Sequence, residues 1–347
     1  MAFRVYTAPP PKGCERLFKT VFSAEAKAFI GELYTAFQSD IEELYRRRIK
    51  RRVELDTHNQ LPDFLSETKA IRENLEWRVD PIPARLRNRK IDCGDVSPSN
   101  RLHFKKALNS EANGIQVDFD DGHCPTWTNQ ILGYSNIIEF VSGSMPGVPT
   151  VPQAPVLMLR PRAWNMVEHH VLVNGEKVPG PVVDFAILMY HASAQLYASG
   201  SGPFFYLSKL EGYKEARLWR KIFVWAEHKL GMPVGSIKAC VLIENILAAF
   251  EMEEILYELR THSLGLNCGI WDYCASIINK FGTRQEFRLP DRSKYVNMQK
   301  HFLESYCKLV VDVCHKRGAL ATGGMNAKML PAGNSHVREE ITQQVCM

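Results

Sequence analysis

At 347 residues, with a formal charge of +5, 45% hydrophobic and 23% charged residues, the chain has the balance of an enzyme-sized globular body and is neither disordered nor low in complexity. Its basic residues are dispersed apart from the run Arg46, Arg47, Arg48, Lys50, Arg51 and Arg52. No stacking aromatics or recognition motif accompany that run, so no nucleic-acid partner is expected. The longest apolar stretch, Ile237–Ile243, is far too short to span a bilayer, so no membrane partner is expected either.

Residues 23–52 carry Phe29, Leu33, Phe37, Ile41 and Leu44 at helical spacing, which predicts a long amphipathic helix. The basic run closes it beside Glu42 and Glu43 and reads as a solvated helix end. Pro62, Pro81 and Pro83 punctuate an irregular stretch over 53–112, so residues 1–112 are expected to form an N-terminal helical and irregular appendage. From about residue 113 short apolar runs alternate with longer helical patterns, the signature of βα units around a parallel sheet.

Six runs read as strands: Gly114–Phe119, Val156–Leu159, Phe204–Leu207, Ile237–Ile243, Leu264–Asn267 and Ala319–Thr322. Helical patterns at Asp184–Ala198, Lys214–Leu230, Ile246–Thr261 and Met298–Lys316 separate most of them, the last closed by Gly318 where a helix C-cap wants glycine. Gly143–Pro155 reads as an insertion or linker. The expected core is a barrel-type α/β domain over 113–325, followed by a divergent polar tail, 326–347. The nine cysteines, scattered from Cys14 to Cys346 without a C-x-x-C pair, fit a reducing compartment.

Charged residues follow most of the runs. Asp118, Asp120 and Asp121 end the first, Arg160 and Arg162 the second, Lys209 the third and Glu244 the fourth, and Asp272 lies just beyond the fifth. In a parallel barrel all strand C-termini open on one face, so residues far apart in sequence would converge there. Two carboxylates on neighbouring strand ends, Glu244 and Asp272, suit a hard cation such as Mg²⁺. The other reading is that they begin the following helices, where acids favour the macrodipole. Arg160 and Arg162 are spaced to share one side of an extended segment, where a guanidinium could stabilise a developing oxyanion. The competing reading pairs an arginine structurally with Asp118 or Asp120. His169 and His170 read as surface or strand residues, and Gly200-Ser-Gly-Pro as a turn into the third strand.

At these residues the sequence resembles malate synthase in its shorter form. The matching stretches are Leu61-Pro-Asp-Phe-Leu-Ser-Glu-Thr, Asp118-Phe-Asp-Asp with Pro125-Thr-Trp, Arg160-Pro-Arg-Ala-Trp and Gly200-Ser-Gly-Pro-Phe-Phe-Tyr-Leu-Ser-Lys. They continue through Ile243-Glu, Leu266-Asn-Cys-Gly-Ile-Trp-Asp-Tyr, Leu289-Pro-Asp-Arg, Cys314-His-Lys-Arg-Gly and Gly323-Gly-Met. The resemblance implies a TIM (β/α)8-type barrel that joins acetyl-CoA to glyoxylate and hydrolyses the product to malate and CoA, with Mg²⁺ as cofactor. It implies Glu244 and Asp272 as metal ligands, Arg160 as the catalytic arginine, and the backbone at Trp271 and Asp272 as the turn holding the glyoxylate carboxylate.

The family's base is an aspartate in a C-terminal helical domain. Here the resemblance stops after Gly324-Met325, so an incomplete barrel of about six strands is expected where such barrels have eight, and activity of this chain is not expected. Ala163 and Asn165, where the family usually has Gly and His, and Asp120 and Gly122 depart from its pattern. Two alternatives stay open: a citrate-lyase-like or malyl-CoA-lyase-like acyl-CoA lyase, and a non-catalytic binding remnant. The family implies a peroxisomal (glyoxysomal) or mitochondrial setting. The final Val-Cys-Met is not a peroxisomal address and the N-terminus lacks a signal-peptide apolar region, which leaves the cytoplasm open. Oligomeric state is not legible.

Overall fold

The computed structural model describes residues 3–57, 60–324, 333 and 335–339; most of the tail assigned to 326–347 lies outside them. Strand β1 (Val5–Thr7) and helices α1 (Glu15–Val21), α2 (Ala24–Thr57) and α3 (Lys69–Glu73) lead into β2 (Asp92–Val96) and α4 (Arg101–Leu108). Next come β3 (Gly114–Asp118), α5 (Trp127–Val141), β4 (Val156–Arg160), the hairpin of β5 (Val167–Val173) and β6 (Glu176–Pro179), α6 (Gly180–Ala198), β7 (Phe204–Leu207) and α7 (Tyr213–Lys229). The remainder is β8 (Lys238–Ile243), α8 (Met252–Glu258), β9 (Ser263–Cys268), α9 (Ile270–Phe281), α10 (Arg292–Tyr295), α11 (His301–Arg317) and β10 (Leu320–Thr322). No described helix is long and apolar enough to cross a membrane.

Seven strands pair in parallel in the order β10-β9-β8-β7-β4-β3-β2, an α/β sheet curled into a half-barrel. All six apolar runs are strands of it. The seventh, β2, falls in the stretch read as irregular, so the described sheet has one strand more than the six expected. Asp-Cys-Gly-Asp-Val buries only Val96 fully and joins β3 through a register shift between Cys93 and Val96, so it carries no apolar period. An edge strand has a neighbour on one side only and can stay this polar. Pattern reading also missed a small antiparallel sheet, β1-β5-β6. Its signal was present: Asn174-Gly175 between β5 and β6 has φ of 53° and 86°, the left-handed pair that a tight hairpin demands.

Side-chain alternation along the strands builds the site. Val156 and Met158 on β4, Phe204 and Tyr206 on β7, Cys240 and Leu242 on β8, and Leu264 on β9 fill the inside of the curl. Leu157, Leu159, Phe205, Leu207, Val241 and Ile243 face the helices instead. With a period of two, the next inward positions at the strand ends are Arg160, Ser208 and Glu244. On β3, Ile115 and Val117 face the helices, which turns Asp118 inward. β9 obeys a different parity because it bulges at Gly265, whose φ is +116° and whose Cβ, if present, would lie 1.8 Å from the Leu320 carbonyl oxygen.

Helix α2 buries Phe29, Ile30, Leu33, Phe37, Ile41 and Leu44 against α6 and α7, with the Phe29 and Trp225 rings 5.3 Å apart. Its basic run is solvated only in part. Arg46, Arg47 and Arg52 pair with exposed acids one turn away, and such pairs contribute little. Arg48, by contrast, turns inward. Its Nε and Nη2 each lie 2.8 Å from Glu215, and Nη2 also donates to the Lys209 carbonyl at 2.9 Å. One turn earlier, the Tyr45 hydroxyl donates to the Trp164 carbonyl at 2.8 Å. The helix assigned to an appendage therefore braces the loops after β4 and β7.

Candidate functional site

The strand ends converge at the mouth of the half-barrel around one buried arginine. Arg160, 3% exposed, places Nη1 3.5 Å from both Asp118 Oδ2 and Asp95 Oδ1. Its Nη2 lies 3.1 Å from Asp120 Oδ2 and 4.0 Å from Glu244 Oε1, and also pairs with Asp121. Lys209 closes the other side, with Nζ 2.7 Å from Asp120 Oδ2, 2.8 Å from Asp121 Oδ1 and 3.6 Å from Asp272 Oδ2. Its backbone N–H donates to Glu244 Oε1 at 2.7 Å, from a left-handed conformation with φ of 53°. That conformation is uncommon for a residue with a Cβ and lets Lys209 present both backbone N–H and ammonium to the site.

Six carboxylates, Asp95, Asp118, Asp120, Asp121, Glu244 and Asp272, thus face two cations, Arg160 and Lys209. Burial and the two cations shift Glu244, Asp118 and Asp121 to different extents. Burial pushes the Glu244 carboxyl up to about 8, with Asp272 adding to the shift and Arg160 and Lys209 only partly opposing it. Burial raises Asp118 to about 6 against the pull of Arg160 and the Gly122 and Asp120 N–H groups. At Asp121 burial acts in the same direction, but Arg160 and Lys209 outweigh it and the group is held below its ordinary value. Burial disfavours the Lys209 ammonium, yet Asp120 and Glu244 overcompensate and keep it charged.

A divalent cation would take up that surplus. Glu244 and Asp272, on neighbouring strand ends, each form an ion pair with one cation only, whereas Asp120 and Asp121 each meet both Arg160 and Lys209. Among the described residues no three His, Cys, Asp or Glu side chains converge as a ready-made cage. One or two carboxylates with positions left for water and substrate is the number that suits Mg²⁺. Gly269 keeps the two strand ends close, because a Cβ there would lie 2.7 Å from Glu244 Cβ.

Arg160 Nε, Ser208 Oγ and Trp271 Nε1 are buried without hydrogen-bond partners. Trp271 and Asp272 lie in the first turn of α9, where backbone N–H groups have no partner inside the helix and suit a carboxylate.

Arg162 does not join Arg160 at the mouth, contrary to the expectation that both share one side. It is buried in an ion pair with Asp184, Nη2 to Oδ1 at 2.7 Å, and with Glu168 at 2.8 Å. Asp184 Oδ2 accepts the Arg162 backbone N–H at 2.8 Å, and Asp120 Oδ1 accepts that of Ala163 at 3.1 Å, so the loop after Arg160 is clamped from both sides. Asp184→Asn leaves a buried guanidinium underpaired. It is expected to cost roughly 1–3 kcal/mol in urea unfolding, and an unchanged midpoint would contradict the clamp. His169 is exposed, and His170 stacks on Trp127 with Nδ1 2.7 Å from Glu168.

The family model described as malate synthase, TIM barrel domain, matches residues 156–345, more than half of the chain. The chain belongs to the malate synthase family. Malate synthase from Dictyostelium discoideum is 39% identical over 335 residues, covering 94% of this chain and 61% of that protein. Malate synthase A from Escherichia coli (strain K12) is 38% identical over 334 residues, covering 94% and 62%. The chain therefore spans less than two thirds of the length of these malate synthases. A magnesium–glyoxylate complex of the Haloferax volcanii malate synthase is a distant likeness, 15% identical with a TM-score of 0.46 over 71% of this chain and 65% of that one.

The four residues carried by the malate synthase resemblance, Arg160, Glu244, Trp271 and Asp272, all stand at the mouth or in the α9 turn that borders it. Ser208, Tyr45 and Arg48 were not read from sequence. Ser208 was legible by extending the inward parity of Phe204 and Tyr206 by one step. Tyr45 and Arg48 gave no local signal, because their partners lie more than 110 residues away.

Proposed function

We propose that this chain carries the Mg²⁺–glyoxylate half of the malate synthase reaction, the condensation of acetyl-CoA with glyoxylate and water to malate and CoA in the glyoxylate cycle. Glu244 and Asp272 hold the metal, and the backbone N–H groups at Trp271 and Asp272 receive the glyoxylate carboxylate. Arg160 faces the carbonyl oxygen that becomes negative as the new bond forms, a role its rigid, buried guanidinium suits because no reorganisation is needed at that moment. When bound, Mg²⁺ polarises the aldehyde as a Lewis acid. Lys209 fixes Glu244 through its backbone N–H and limits the negative potential that glyoxylate, itself an anion, must approach. The observation that supports this reading most is the convergence of six carboxylates on only two cations at the mouth, with Glu244 and Asp272 on neighbouring strand ends.

Every carboxylate at the mouth faces Arg160 or Lys209, so the acceptor for the acetyl-CoA methyl proton is not assigned among the described residues. The chain is accordingly expected to bind glyoxylate in Mg²⁺ and to release little or no CoA from acetyl-CoA in a thiol-trapping assay. Asp272→Ala is expected to remove the glyoxylate binding. Robust turnover abolished by Glu244→Gln would overturn the restriction to half of the reaction, and binding that survives in Asp272→Ala would move the site elsewhere.

A further inference from the structure

The ladder between β8 and β9 ends at the pair Ile243 and Cys268, one residue short of Glu244 and of the turn that leads to Asp272. A side chain from a third element continues the connection. Tyr306 of α11, 3% exposed, donates its hydroxyl hydrogen to the Ile243 carbonyl and accepts the Gly269 N–H at 3.0 Å. One oxygen thus spans both strand ends, using its donor and an acceptor lone pair together. The ring is held by stacking on Tyr273 of α9, with centroids 4.0 Å apart and planes at 14°. Ile243 immediately precedes Glu244, and Gly269 opens the helix whose first turn contains Asp272.

We propose that Tyr306 is a positioning residue that sets the separation of the two carboxylates assigned to Mg²⁺, acting through the backbone on either side of them. The inference rests on the metal reading given above and extends it to a residue that touches neither metal nor substrate. Without the hydroxyl, the Ile243 carbonyl and Gly269 N–H lose a buried partner, and the strand ends can part beyond the last ladder pair. Outer partners that orient metal ligands typically change metal affinity by about 10–100-fold when removed.

The test is calorimetric titration of Mg²⁺ into the full chain at saturating glyoxylate, comparing the parent with Tyr306→Phe and Tyr273→Phe. Each variant removes one hydroxyl from the same stacked pair, but only Tyr306 lies in the bridge. Tyr306→Phe is expected to weaken Mg²⁺ by at least tenfold, with Tyr273→Phe equal to the parent. Folded Tyr306→Phe binding as tightly as the parent, or equal losses in both variants, would overturn the proposal while leaving the metal reading intact. A parent that binds no Mg²⁺ would overturn the metal reading and this inference with it. Amide hydrogen exchange of the unaltered chain is a second measurement that does not depend on the variant folding. Mg²⁺ is expected to slow exchange at Gly269 more than at Ile277 further along α9, and equal slowing along the whole helix would overturn the proposal.

Discussion

Glu244→Gln is expected to abolish the Mg²⁺-induced rise in thermal midpoint and, without metal, to leave the chain more stable than the parent at pH 9. The folded-state pKa near 8 lies above the ordinary value of 4.5. Between those values the folded chain holds a proton that the unfolded chain has released, so stability falls as pH rises through that window and the loss is complete above about 8. The amide carries no charge and escapes this penalty, and its carbonyl can still accept the Lys209 N–H. Below about 4.5 parent and variant should be alike. In the parent, Mg²⁺ favours the carboxylate and reverses the loss, so its stabilising effect should grow with pH. The check is a set of melts at pH 5, 7 and 9 with and without Mg²⁺. Equal Mg²⁺ shifts in parent and variant, or a variant less stable at pH 9, would contradict the assignment of Glu244.

Arg160→Ala is the largest destabilisation expected. Breaking a buried ion pair by deleting one partner leaves the other charge uncompensated and costs roughly 3–5 kcal/mol. Arg160 serves five carboxylates, four of them within 3.5 Å. The loss should show as a lower urea midpoint in metal-free buffer. Because deletion deepens the negative surplus, Mg²⁺ should restore more stability in the variant than it adds to the parent. Arg160→Lys keeps a charge but loses the fork that reaches several acids at once, and should fall between the two. A urea midpoint unchanged in Arg160→Ala would show that the cluster does not depend on this cation.

The barrel strands were legible where both faces are buried. Val156–Arg160 and Lys238–Ile243 are buried along their whole length and read as continuous apolar runs, which bounded by turns identify central parallel strands. β2 could not be read this way, because its two aspartates serve the sheet edge and the mouth: Asp92 meets the Tyr206 hydroxyl at 3.2 Å and Asp95 meets Arg160. The convergence of Arg160, Lys209, Glu244 and Asp272 followed from the rule that strand C-termini share a face. Their pairing did not follow from it. Sequence spacing suggested that Arg160 and Arg162 share one side, whereas the buried ion pairs with Asp184 and Glu168 hold Arg162 away from the mouth. The role of α2 was hidden for a related reason. Arg48 sits among five other basic residues with nothing local to distinguish it, and only the fold supplies Glu215 and the Lys209 carbonyl as partners.

On the proposed reading, the surplus of carboxylate at the mouth is a Mg²⁺ site that receives glyoxylate. Calorimetric titration of glyoxylate into the unaltered chain, once with Mg²⁺ and once with a chelator, tests it most directly. Saturable one-site binding in Mg²⁺ that disappears in chelator is the predicted result, and binding that is absent in both or equal in both would contradict the account.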